Sequence, residues 1–131
     1  MLRSYKPIII VAGEPNSIFL EIFFKSLKNN KYKSPLIIIA SKKLLQEQMK
    51  KLGFFFKINL INKKFNKFDK LNNKKINLID VKYKFNNCFE KISSKSNNYI
   101  KKSFEIALQI IIKNKLLKLI NGPISKKHFL K

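Results

Sequence analysis

An α/β fold with a layered, largely parallel sheet is the architecture that this sequence predicts, and three observations predict it. Continuous apolar runs occur at Ile8–Ala12 and Pro35–Ala40, and Leu116–Ile120 is apolar but for Lys118, as expected of strands covered on both faces. Between them lie segments whose apolar residues repeat at helical spacing. The runs end in Gly, Pro, Ser or Asn, the residues that punctuate strand-to-helix connections. Such alternation implies right-handed crossovers with helices packed on the sheet. The 131 residues suffice for one cored domain, so 1–131 is read as a single α/β unit.

The first strand, Ile8–Ala12, empties into Gly13-Glu14-Pro15-Asn16-Ser17. Ser17 is a candidate N-cap for a helix reaching Asn29, with Ile18, Ile22 and Phe23 on one face. Pro35–Ala40 is the second strand. Ser41 then caps a helix through Leu52, where Leu44, Leu45, Met49 and Leu52 share a face and Gly53 supplies the stop. Phe54–Leu60 reads as a third strand. Residues 62–75 have no clean period and read as a solvated loop, and Ile76–Val81 as a short strand. After an ill-defined stretch to Ser96, Ile100, Phe104, Ala107, Leu108 and Ile111 mark a helix face ending near Asn114. Leu116–Ile120 is then a buried strand that runs into Asn121-Gly122-Pro123-Ile124-Ser125-Lys126.

The formal net charge is +22, from 29 Lys+Arg against 7 Asp+Glu, and Arg3 is the sole arginine. Nucleic-acid readers favour arginine forks, whereas here lysine is spread through nearly every polar segment beside Asn, Ile and Phe. AT-rich coding produces that mixture without selection for a polyanion. The field nevertheless attracts RNA nonspecifically, so a small basic RNA- or ribosome-associated protein stays open as an alternative. Cys88 is alone, which excludes a disulfide framework and a thiolate metal cluster. With no signal peptide and no apolar run of about 18 residues, the expected location is the cytoplasm and no membrane partner is expected.

Two turns carry what chemistry is legible. In a parallel sheet Gly13-Glu14-Pro15 and Gly122-Pro123 lie at the same carboxyl edge, where ligands bind. Lys126, just beyond the second turn, suits a phosphate or carboxylate. His128, the single histidine, has no second histidine, carboxylate cluster or Cys pair with which to build a metal site. No Walker loop and no Gly-x-Gly-x-x-Gly run occurs.

At these residues the chain resembles the amino-terminal part of the 4-hydroxythreonine-4-phosphate dehydrogenase family of pyridoxine biosynthesis. Ile9-Ile10-Val11-Ala12-Gly13-Glu14-Pro15 is similar to the family's opening strand and its Gly-Glu-Pro or Gly-Asp-Pro turn. Ser41 through Leu52-Gly53 resembles its second helix, and Asn98-Tyr99 opens a helix like the one before its Thr-Gly-Pro-x-x-Lys segment. That segment is here Asn121-Gly122-Pro123-Ile124-Ser125-Lys126.

The resemblance implies a partial isocitrate/isopropylmalate-dehydrogenase-like fold, a homodimer, NAD(P) and a divalent metal. The implied reaction is oxidation of 4-phosphooxy-L-threonine by hydride transfer to the nicotinamide, the metal polarising the developing carbonyl. It carries over only Gly13, Glu14, Pro15, Gly122, Pro123 and Lys126, as parts of the substrate-site wall; catalytic residues are not assigned.

Two departures qualify the match. The family continues Ala-Gly-Ile-Gly-Pro-Glu after its first turn, where this chain has Asn16-Ser17-Ile18-Phe19-Leu20-Glu21. Its Gly-His-Thr-Glu segment, metal-binding histidines and cofactor contacts come later than any residue here. The expectation is therefore an amino-terminal fragment, inactive alone and binding neither cofactor nor metal by itself, which a second polypeptide could complete. A non-catalytic remnant is the further alternative.

Overall fold

The computed structural model describes residues 6–64, 68–115 and 118–125. Strands β1 (Ile8–Val11), β2 (Leu36–Ala40), β3 (Ile58–Leu60), β4 (Ile76–Asp80) and β5 (Leu119–Asn121) form one sheet in the order β3-β4-β2-β1-β5. All four pairings are parallel. Helices α1 (Phe19–Asn29), α2 (Lys42–Leu52) and α3 (Asn97–Asn114) make the crossovers.

Register fixes the two faces, because paired residues in adjacent parallel strands point the same way. Ile10, Ile38, Leu78 and Ile120 share one face, and Ile9, Ile37 and Leu119 the other. α1 and α2 pack on the first, α3 on the second. The steps β1 to β2 and β2 to β3 run one way along the sheet, and β4 to β5 runs the other. Right-handed crossovers then put α3 opposite α1 and α2. The predicted layered parallel α/β architecture is what the chain adopts.

Four elements differ from the sequence reading. α1 starts at Phe19, and Ser17 is not its N-cap; the Ser17 hydroxyl accepts the Phe19 amide at 3.2 Å instead. Ile18 and Ile22 are 66% and 52% exposed, while Leu20, Phe23 and Phe24 are buried. Two apolar stripes compete on this helix, and the one carrying both phenylalanines buries more area. In α3 the buried face is Tyr99, Ile100, Ser103, Ile106, Ala107 and Ile110, leaving Leu108 49% exposed. Polar residues can occupy that face because they are satisfied: the Ser103 hydroxyl donates to the Tyr99 carbonyl at 2.8 Å.

The third strand is shorter than 54–60. Gly53 closes α2 at φ 77°, and the Phe54 amide bonds back to the Met49 carbonyl, turning the chain inward in a Schellman-like stop. Phe54 and Phe56 then pack on Phe24 at centroid distances of 5.5 and 6.4 Å. The last strand also differs. Leu116 and Leu117 lie outside the described residues, and β5 is exposed along its length rather than buried. It is an edge strand of the sheet, with Leu119 36% and Ile120 49% exposed. Among the described residues no helix is long and apolar enough to cross a membrane.

Candidate functional site

β1 and β5 are neighbours, yet the chain leaves β1 for one side of the sheet and reaches β5 on the other. Their carboxyl ends flank the point where strand order reverses, the place where open α/β sheets form a ligand crevice. Two backbone bonds join the turns that follow them. The Gly122 amide donates to the Val11 carbonyl at 2.7 Å, and the Glu14 amide to the Pro123 carbonyl at 2.8 Å.

Glycine is required at both turns. Gly13 has φ 75°, and a Cβ there would lie 2.7 Å from the Pro123 carbonyl oxygen. A Cβ on Gly122 would lie 2.1 Å from the Ala12 carbonyl oxygen and 2.8 Å from the Phe19 ring. Backbone lies against backbone here, with no room for a methyl group.

Glu14 faces inward and is 4% exposed. One carboxylate oxygen accepts the Asn16 amide at 3.3 Å, and the other accepts the Ser96 hydroxyl at 3.0 Å. Ser96 stands at the N-terminus of α3, whose first turn contains no acid. A carboxylate at that position favours the helix dipole, so Glu14 ties the β1 turn to the head of α3. Beside it, the Gln48 side-chain amide donates to the Pro15 carbonyl at 3.0 Å and the Cys88 carbonyl at 2.6 Å. The Asn16 side chain accepts the Glu90 amide at 3.0 Å. Glu90 in turn accepts the Asn86 and Asn87 amides, which hold its carboxyl below the usual carboxylate range.

Further along the same edge, a recess of about 700 Å³ is lined by Lys42, Lys43, Asp80, Tyr83 and Lys95, among others. Three of the amides entering α2 are already used. Ser41 donates to the Tyr99 hydroxyl at 2.9 Å, Lys42 to Asp80 at 2.8 Å and Leu44 to the Ser41 hydroxyl at 3.2 Å. The charged side chains lining the recess are Lys42, Lys43, Lys82, Lys84 and Lys95 against Asp80. Burial pushes the Tyr99 hydroxyl well above its ordinary pKa, so it remains a neutral clamp between α3 and β2 at any physiological pH.

The structure brings Gly13, Glu14, Pro15, Gly122 and Pro123 to one place, with Pro123 alone among them exposed. Lys126 and His128 lie outside the described residues. Sequence reasoning did not find Asn16, Gln48 or Ser96 as partners of this turn. Nothing in the local pattern marks these roles, since Gln48 and Ser96 reach the turn across more than 30 positions of chain and the Asn16 side chain reaches Glu90 across 74. Among the described residues no three His, Cys, Asp or Glu side chains form a set that could hold a metal ion.

No protein-family model matches the sequence, and no curated protein matches it. Solved structures do match the fold. A 4-hydroxythreonine-4-phosphate dehydrogenase from Burkholderia phymatum superposes with a TM-score of 0.77 over 97% of this chain at 17% identity. The enzyme of the same name from Klebsiella pneumoniae gives 0.77 over 94% at 15% identity. This chain spans 41% and 38% of those two chains, respectively. Over nearly its whole described length, it has the α/β fold of part of these dehydrogenases.

Proposed function

We propose that this chain is an amino-terminal portion of a 4-hydroxythreonine-4-phosphate dehydrogenase-like protein, forming one wall of the site, and that a second polypeptide carrying the rest of the fold completes it. In that assembly the reaction is NAD(P)- and divalent-metal-dependent oxidation of 4-phosphooxy-L-threonine, on the route to pyridoxal 5′-phosphate. The bound nicotinamide supplies the hydride acceptor. Gly13, Glu14, Pro15, Gly122 and Pro123 shape the wall, and Lys126 is the cation for a phosphate or carboxylate. Homodimeric assembly of the completed pair and a cytoplasmic location belong to the same reading. One observation carries it: the joined β1 and β5 turns at the strand-order reversal, in a fold shared with those enzymes.

The test is NAD reduction with 4-phosphooxy-L-threonine and a divalent metal. The 131-residue chain alone is expected to give none, and the chain with its completing polypeptide is expected to give metal-dependent turnover. Turnover by the purified chain alone would overturn the two-polypeptide reading. An inactive complex would favour the non-catalytic remnant.

One observation favours a second reading, a basic RNA-associated protein. Phe55 is 91% exposed in a groove that also contains Lys42, Lys50, Lys57 and Lys75, and an aromatic platform among cations suits single-stranded RNA. Phe55→Ala is then expected to weaken binding of a labelled single-stranded oligonucleotide by about 1–3 kcal/mol without changing its salt slope. Equal affinity for the variant means charge adsorption only.

A further inference from the structure

We propose that the β5 edge is a docking seam for a second, acidic polypeptide that adds a strand beside β5 and covers both faces of the sheet there. The inference rests on the reading that another chain completes this fold, and not on the chemistry of the finished site.

Strands of parallel sheets are ordinarily covered on both faces. β5 pairs with β1 on one side only. Leu119 on the α3 face is 36% exposed, and Ile120 on the α1 face is 49% exposed. The helices continue these apolar surfaces. The Phe19 ring reaches Gly122, which turns the flank of α1 carrying Phe19 and Ile22 towards β5. Ile18 and Ile22 are exposed beside it. On the other face, Gln109 and Lys113 line a recess with Lys63 and Lys64, so that flank of α3 looks away from β5. The opposite flank carries Phe104, Leu108 and Ile111, and on the outer face beside it Ile112 is 78% exposed.

The opposite sheet edge is different. Beside β3, Phe55 and Leu60 are also exposed, but they stand among Lys57, Lys63 and Lys64, with Lys50 of α2 and Lys113 of α3, lysines of the kind that discourage pairing. A second copy is a poor occupant, because two chains of +22 repel. The same field favours a partner of opposite sign. The fold leaves room for one: the solved dehydrogenases carry more than half their length beyond the part this chain spans.

The experiment is site-specific photocrosslinking of the full chain in its native cells, with benzoylphenylalanine at 112, at 120 and, as a control on the β3 edge, at 60. The expected result is one polypeptide of net negative charge joined at 112 and 120 and absent at 60. Once purified, it should bind the unmodified chain 1:1, with affinity reduced roughly tenfold or more by Ile112→Asp, a variant on an exposed helix face that leaves the fold intact by circular dichroism. A self-adduct, the same adducts at 60, or no adduct at 112 and 120 would each overturn the seam. A 1:1 complex that fails to reduce NAD leaves the seam standing and removes the dehydrogenase reading.

Discussion

Gly122→Ala is expected to separate β5 from β1. The added methyl group would lie 2.1 Å from the Ala12 carbonyl oxygen and 2.9 Å from its carbonyl carbon. Both are backbone atoms of the turn after β1 and cannot rotate aside. The Phe19 ring, 2.8 Å away, blocks retreat towards α1. Relief requires β5 to move, breaking the 2.7 Å bond from the Gly122 amide to Val11. The cost should be on the order of 3 kcal/mol or more, as for overpacking against rigid surroundings. Gly53→Ala is the control. Gly53 also has positive φ, but nothing lies within 4 Å of its Cβ position, so only the backbone penalty of about 1–2 kcal/mol applies. Urea unfolding of both variants should rank Gly122→Ala clearly below Gly53→Ala.

Phe24→Ala is expected to cost about 3–5 kcal/mol, the usual cost of emptying a buried aromatic site, and to lower Tm by roughly 10 °C or more. Phe24 is 0% exposed and lies against Phe23, Phe54 and Phe56 at 6.1, 5.5 and 6.4 Å. Its loss would leave a void bounded by three rings and the sheet. Ile22→Ala, two residues away, should change stability by no more than about 0.5 kcal/mol. Sequence spacing alone placed Ile22 on the core face, so the pair of variants separates the two possible phases of α1. Thermal unfolding monitored by circular dichroism measures both.

The fold was largely legible because its signals are local. Ile8–Val11 and Leu36–Ala40 are apolar without interruption, and only a strand covered on both faces tolerates that. Ser41 and Gly53 bracket α2 with a cap and a left-handed stop, each acting within three or four residues of itself. Where two apolar stripes competed, as on α1 and α3, periodicity could not choose between them. The choice depended on how much area each buries against a sheet several elements away. Tyr99 and Ser103 illustrate the limit: they are core residues because Ser41 and the helix backbone satisfy them, facts with no local trace.

The candidate site was legible in part for the same reason. Gly-Pro turns after strands announce themselves, and parallel topology puts them at one edge. That β1 and β5 are adjacent, so that Gly13 meets Gly122 and Pro123, is a consequence of strand order. Glu14 is instructive. Its sequence neighbourhood allowed either a substrate contact or a solvated side chain. Burial and the bond from Ser96 make it a link between the first turn and the last helix. Net charge gave the opposite lesson. The +22 surface is evident from composition, but the apolar residues exposed beside β5 depend on which helix residues face outward.

The measurement that tests the account most directly is amide hydrogen exchange at Gly122 and Glu14, resolved by NMR. The account predicts that both amides are protected to nearly the same degree as those of β1, because they donate to Val11 and Pro123 across the β1–β5 join. Fast exchange at both, with β1 still protected, would mean that the two turns do not meet and that the proposed wall of the site does not exist in this chain.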